Sequence, residues 1–202
     1  MGIIKVIDIR AVNQFTGAFS FLSNFYLHPI VINDITYRSS EHAYQSAKFV
    51  KGTIERTAVM NCITPFQAKR EADRIIAKLN KYQPESAEPA DKADRIAILT
   101  PDWEKKNKLI AMNFVLRVKF APEVEFPGGI RVQSEMAELL LKTDTAPLLE
   151  GNWWHDNYWG SCEPKARATR VKTSPCRLEC SKPGENHLGK LLMAIRKDLR
   201  SE

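Results

Sequence analysis

The chain changes its punctuation at Ser40, and that change constrains the fold more than any other feature of the sequence. Upstream, Ile3 to Ile9 is rich in β-branched residues and reads as a strand. Tyr26 to Tyr37 offers two apolar runs around Asn33-Asp34, the signature of a hairpin. Downstream the signals are helical. Ser40 is placed to cap a helix beginning at Glu41, and Thr64-Pro65 and Thr100-Pro101 each set a hydroxyl before a proline at the first helical position. After Thr100, residues Leu109, Met112, Asn113, Leu116 and Phe120 form one stripe, and near the C-terminus Leu188, Leu191, Leu192, Ile195 and Leu199 form another. Both read as core faces. Arg131 to Leu141 reads as a further helix, and Lys81 to Ala93, with Pro84, Pro89 and several acids, as a surface loop or short linker. There is no internal repeat and no low-complexity tract. The expected architecture is α+β: a helix-dominated single domain spanning residues 1–202, with a small sheet or hairpin mainly from the N-terminal third.

At 202 residues and 44% hydrophobic content the chain has enough apolar material for a core without disulfides or metal. Met1 to Asp8 lacks the basic flank and apolar run of a signal peptide, and no stretch is long enough to span a bilayer. Val6 stands where a myristoylated Gly2 would want Ser or Thr. The expectation is a soluble, cytoplasmic protein with no membrane partner. Cys62 stands alone while Cys162, Cys176 and Cys180 cluster late, which is no secreted disulfide framework, so reduced thiols are expected. Cys162, Cys176, Cys180 and His187 are a conceivable zinc set, but their spacing matches no tight double Cys-x-x-Cys pattern, and no metal is assigned. No motif demands a cofactor. Of the formal net charge of +6, four units come from Ser161 to Pro183, where Lys165, Arg167, Arg170, Lys172, Arg177 and Lys182 face only Glu163 and Glu179. Two readings stay open: a polyanionic partner, or a solvated basic loop.

Three stretches carry chemistry. In the first, Glu41, Tyr44, Gln45 and Lys48 recur at i, i+3, i+4 and i+7, so on a helix they share one face, while Ala43, Ala47 and Val50 make a small apolar stripe opposite. On an exposed helix this would be ordinary surface. Glu41, however, lies in the first turn, where unpaired N–H groups and the positive dipole end favour an ionised carboxylate, suited to act as a base or to stabilise a cation. Lys48 could bind phosphate or, if desolvated, attack an opened sugar as an amine. The second is Gly151 to Gly160, which packs Trp153, Trp154 and Trp159 around Asp156. Such a cluster either stacks a heteroaromatic base beside a carboxylate or is core tryptophan flanked by a turn aspartate. Trp103 is a possible second stacking wall. The third is Gly184 to Arg196, in which Asn186 either caps the last helix or meets a ligand, Gly189 permits close backbone approach, and His187 reads as a satisfied histidine.

Taken in order, five stretches resemble the NADAR, or YbiA-like, family. They are Phe21-Leu22-Ser23-Asn24-Phe25; Ser40-Glu41-His42-Ala43-Tyr44-Gln45 with Lys48-Phe49; Trp103 ahead of Met112 to Phe120; Asp156-Asn157-Tyr158-Trp159-Gly160; and Asn186-His187-Leu188-Gly189-Lys190-Leu191-Leu192-Met193. Each is short, but the ordered set is specific and extends over most of the chain. The resemblance implies N-glycosidase chemistry, on phosphorylated riboflavin-pathway intermediates or on ADP-ribose linked to guanine in nucleic acid. It implies Glu41 as the active-site acid, Asp156 as its later helper, Lys48 as the helix lysine, and Trp103 and Trp159 as aromatic walls. Asn24, Phe25, Tyr44, Gln45, Gly160, Asn186 and Gly189 are the remaining substrate-binding candidates. Departure of a base from C1 builds oxocarbenium character that carboxylates stabilise, which agrees with the acids read from the residues. Direct hydrolysis and a Lys48 Schiff base both remain open.

One departure from the family pattern stands out. A short glycine-containing link is expected after Trp159-Gly160, and this chain instead inserts the basic, cysteine-containing stretch at about 161–183. Lysine and arginine near the site would attract a phosphate backbone, so the expected partner is ADP-ribosylated nucleic acid, with a phosphorylated nucleotide-like small molecule as the alternative. An ADP-ribosyltransferase is the expected functional counterpart. A non-catalytic ADP-ribose or nucleotide reader is the competing class outside enzymology, and the presence of both Glu41 and Asp156 argues against it.

Overall fold

A computed structural model describes residues 11–81, 98–126, 130–162 and 183–201. The Ile3 to Ile9 strand, the Lys81 to Ala93 loop apart from Lys81, and the basic insertion beyond Cys162 lie outside the described residues. The fold is α+β and helix-dominated, with three two-stranded sheets among the described residues. The chain divides into two compact units, residues 24–119 and residues 1–23 with 120–202. Among the described residues no helix is long and apolar enough to cross a membrane.

The unit 24–119 opens with the expected hairpin. Strands β1 (Leu27–Ile32) and β2 (Ile35–Ser39) pair antiparallel through Asn33 and Asp34, whose φ of 49° and 62° are left-handed values that these two side chains tolerate. The ladder shifts register between Leu27 and Ile30, at Pro29, which has no N–H to contribute. Ile30 and Tyr37 face each other across it and pack with Ala43 and Val115. The chain then enters α1 (Ser40–Ser46) without a loop. Ser39, not Ser40, is the N-cap: its hydroxyl accepts from the His42 N–H, and Ser40 is already the first helical residue. Helix α2 (Ile54–Met60) is capped by Thr53, and α3 (Pro65–Lys81) by Thr64, as the Thr-Pro pair predicts. Ala68 and Ala72, too small to hold α3 at a distance, pack with Ile75, Phe49 and Val59. The helix expected directly after Thr100 starts later. The Thr100 hydroxyl donates to the Ala47 carbonyl at 2.7 Å instead of capping, and the chain makes a π-helical turn (Trp103–Asn107) before α4 (Lys108–Lys119). That long-range bond takes the hydroxyl that the local pattern assigns to a cap.

The other unit contains a 3₁₀ helix (Gly17–Leu22), the hairpin β3 (Glu123–Phe126) and β4 (Ile130–Gln133), α5 (Glu135–Leu141), the strands β5 (Gly151–Asn152) and β6 (Ser161–Cys162), and α6 (His187–Leu199). The helix expected from Arg131 begins only at Glu135. Arg131 to Gln133 belong to β4, and Ser134 caps α5 by accepting from Ala137 N–H. Leu188, Leu192 and Ile195 are buried along the apolar stripe of α6. Below them Arg196 donates to the Thr143 hydroxyl at 2.7 Å. Strands β5 and β6 run parallel, Asn152 opposite Cys162. The stretch that leaves from Cys162 returns at Gly184, whose N–H donates to the Ser161 hydroxyl at 2.9 Å. A Cβ on Gly184 would lie 2.3 Å from the Gly160 carbonyl oxygen, so only glycine fits there.

Candidate functional site

Helix α1 is short and polar, yet all seven of its residues are buried. Buried polar groups are costly unless they are hydrogen-bonded, and several side chains of α1 are. His42 is held at both ring nitrogens, by the Ser39 hydroxyl at 2.8 Å and the Cys62 carbonyl at 3.1 Å. A carbonyl only accepts, so Nε2 carries the proton, and burial holds the imidazole below its ordinary pKa in the neutral form that this arrangement needs. The histidine fixes α1 in place, and Glu41 is carried on it.

Glu41 is 5% exposed. Its backbone N–H donates to the Asn24 carbonyl at 3.0 Å, and its Oε1 accepts from Gln45 Nε2 at 2.7 Å, one helical turn on. With the amide nitrogen committed to Glu41, Gln45 turns Oε1 elsewhere, and that oxygen is buried with no hydrogen-bond partner among the described residues. Asn24 repeats the pattern: Nδ2 donates to the Met112 sulfur at 3.2 Å, while Oδ1 is buried without a partner among the described residues. Both buried amide oxygens belong to residues bonded to Glu41, Gln45 through its side chain and Asn24 through its backbone carbonyl, and both are suited to accept from hydroxyl or N–H donors. Tyr44 lies against Trp103, ring centroids 5.3 Å apart and planes tilted by 45°. The π-helical turn presents that tryptophan, held by Asp102 in a left-handed conformation. Phe25, next to Asn24, is exposed.

Lys48 lies outside α1, which ends at Ser46, so the fourth member of the predicted face belongs to the turn after the helix. Its amine nevertheless shares the field of Glu41. Burial holds the Lys48 ammonium below the ordinary lysine pKa, Asp73 opposes that most strongly, Lys69 adds to it, and the Glu41 carboxylate opposes it. Lys48 is 13% exposed and pairs with Asp73 at 3.5 Å. Asn24, Glu41, Tyr44, Gln45, Lys48 and Trp103 are thereby connected within the unit 24–119.

The later candidates belong to the other unit. Asp156 accepts at Oδ1 from the backbone N–H groups of Trp159 at 2.9 Å and Tyr158 at 3.3 Å, so its carboxylate closes the turn that presents Trp159. Trp159 packs edge-on to Tyr158 at 4.9 Å, and the Tyr158 ring lies 4.4 Å from that of His187, which pairs with Glu185. Trp153 and Trp154 are exposed and edge-to-face with each other.

Asn186 is not a side-chain cap. It stands at the start of α6 with φ of 51°, its Oδ1 accepting from Glu150 N–H at 3.0 Å and its Nδ2 donating to the Leu148 carbonyl at 2.9 Å. A Cβ on Gly189 would fall 2.1 Å from the Leu148 oxygen, and one on Gly160 2.3 Å from the Glu150 oxygen. Asn186, Gly160 and Gly189 thus converge on the backbone of 148–150.

That convergence surrounds a residue the motifs pass over. Glu150 immediately precedes the tryptophan-rich stretch. Burial, reinforced by the Asp156 charge, pushes its carboxyl up to about 7, and its Oε2 is buried without a hydrogen-bond partner among the described residues. Nothing in the residue pattern marks it except its place one residue before Gly151, because its environment is made by chain segments distant in sequence. Of the conceivable zinc set, Cys176 and Cys180 lie outside the described residues, and Cys162 is buried with its sulfur 3.7 Å from His155 Nδ1. Among the described residues no three His, Cys, Asp or Glu side chains form a metal-sized group.

The family model described as NADAR domain matches residues 12–200. Among solved structures, the NMR structure of the E. coli protein YbiA is similar, with a TM-score of 0.62 and 24% sequence identity over 98% of this chain and 90% of that one. No curated protein sequence matches significantly.

Proposed function

The chain belongs to the NADAR domain family, which is linked to N-glycosidase-like activity, and on that premise we propose that it hydrolyses the bond between a sugar anomeric carbon and nitrogen. The observation that carries the proposal is the buried Glu41 carboxylate, oriented by Gln45 and sharing its field with a desolvated Lys48. As C1–N breaks, the electron pair leaves with nitrogen and positive charge grows on the sugar. A carboxylate held in a low-dielectric site stabilises that charge and takes a proton from the water that adds to C1. The products are a sugar with a free anomeric hydroxyl and a base bearing the proton at nitrogen. Tyr44 and Trp103 supply an aromatic wall, and Asn24 and Gln45 supply acceptors for sugar hydroxyls. Asp156 and Trp159 enter this reading through the family resemblance alone.

The favoured substrate is ADP-ribose on guanine in nucleic acid, made by an ADP-ribosyltransferase. The support is the excess of positive charge in residues 161–183. A mass-spectrometric time course on DNA carrying ADP-ribosylated guanine, alongside phosphorylated riboflavin-pathway intermediates, tests both parts. The wild type is expected to release free ADP-ribose, and Glu41→Gln to be slower by roughly 10²- to 10⁴-fold. Turnover of the riboflavin intermediates alone would replace the substrate. Full activity of a folded Glu41→Gln protein would remove Glu41 from the mechanism. Borohydride added during turnover separates the two routes, since only attack by the Lys48 amine on C1 leaves a reducible imine and a covalent sugar on that residue.

A further inference from the structure

Helix α3 has two faces at helical spacing. Ala68, Ala72 and Ile75 point into the core, and on the opposite side Phe66, Lys69, Arg70 and Asp73 recur at i, i+3, i+4 and i+7. Phe66 is 58% exposed, a large apolar ring on a face with no covering element among the described residues, and the Arg70 guanidinium lies over it at 5.6 Å from the ring centre. The acids nearby are already engaged: Glu71 is ion-paired with Arg74, and Asp73 with Lys48. Lys69 and Arg70 have no ion pair among the described residues, so the face carries uncompensated positive charge beside an exposed aromatic ring. It also has a direction. It runs from the start of α3 to Asp73, whose partner Lys48 feels the Glu41 carboxylate, all within the unit 24–119.

We infer that this face of α3 binds single-stranded nucleic acid flanking the modified nucleotide, with an unpaired base stacked on Phe66 and backbone phosphates on Lys69 and Arg70. The inference rests on the nucleic-acid reading of the site and names the surface that would select such a substrate over a free nucleotide. Aromatic rings interleaved with basic side chains suit a single strand, because stacking needs a base that is not already paired, and phosphates supply the opposite charge. A duplex would leave Phe66 without a base. A small phosphorylated substrate held at Glu41 would not extend along about two turns of α3.

The test is fluorescence anisotropy of the full chain with a labelled oligothymidine across a series of salt concentrations, for wild type, Phe66→Ala and Arg70→Glu. Wild type is expected to bind with a steep salt dependence. Arg70→Glu should weaken binding and flatten the log–log salt slope by about one unit, and Phe66→Ala should weaken binding by about five- to a hundredfold with the slope unchanged. In parallel, both variants should cleave ADP-ribosylated guanosine mononucleoside at the wild-type rate and the same lesion in an oligonucleotide more slowly at subsaturating concentration. Failure of the wild type to bind the oligonucleotide at low salt, wild-type binding by both variants, or equal slowing on both substrates would overturn the inference. Failure of the glycosidase reading looks different: no substrate turns over even with wild type, while the binding differences persist.

Discussion

Glu150 is a residue whose surroundings oppose its charge. With its carboxyl raised to about 7 by burial and by Asp156, the folded chain holds a proton that the unfolded chain, near 4.5, has released. Between those two values folding takes up a proton, so stability falls as pH rises through the window and the deficit is complete above about 7. A shift of that size corresponds to about 3 kcal/mol at most. Glu150→Gln, which imitates the protonated acid, is therefore expected to lose less stability than the wild type between pH 5 and pH 8, read from urea midpoints at each pH. Identical pH dependence in the two proteins would mean that the carboxyl is not held neutral. The sequence announces Glu41 and Gln45, since helical spacing alone puts them one turn apart. It is silent on Glu150, whose pKa is a property of burial by segments far away in the chain.

At the scale of elements, Asn186 and Gly189 fasten the start of α6 to the backbone of 148–150. Gly189→Ala would push a methyl group into the Leu148 oxygen and the Asn186 amide, forcing the helix away and breaking both carboxamide bonds. A cost of about 2–3 kcal/mol follows for overpacking with lost hydrogen bonds, measurable as a lowered urea midpoint. A variant as stable as wild type would show that α6 has room to shift. Legibility at this scale follows the range of the forces. Thr64-Pro65 starts α3 as its local chemistry predicts, and Asn33-Asp34 turns the first hairpin for the same reason. Thr100-Pro101 carries the same local chemistry, but the Ala47 carbonyl, far back in the chain, takes the hydroxyl. The β3–β4 hairpin takes the residues 131–133 that a helical pattern claims, because strand pairing is settled by the partner strand.

For the molecule as a whole, the ordered motifs are divided between the two units. The carboxylate of Glu41 and its helpers belong to residues 24–119, and the Asp156 turn with its glycines to the remainder. The order of motifs was legible in the sequence; the division between units was not, since the unit holding Asp156 is assembled from both ends of the chain. Between the two ends of that second unit's β6 excursion lies the most basic part of the chain. Replacing residues 163–183 with a short Gly/Ser linker is expected to leave the melting temperature within a few degrees of wild type, by circular dichroism, because shortening the chain between two fixed ends changes the closure entropy only logarithmically. Collapse of the cooperative transition would show that the excised stretch is part of the core.

The hydrogen bond from Gly184 to Ser161 fixes where that stretch leaves and where it returns, independently of what lies between. The bonds that hold the Asn186 and Asp156 side chains come from Leu148, Glu150, Tyr158 and Trp159, so charge can be altered by substitution between the two anchored ends without removing any of these partners.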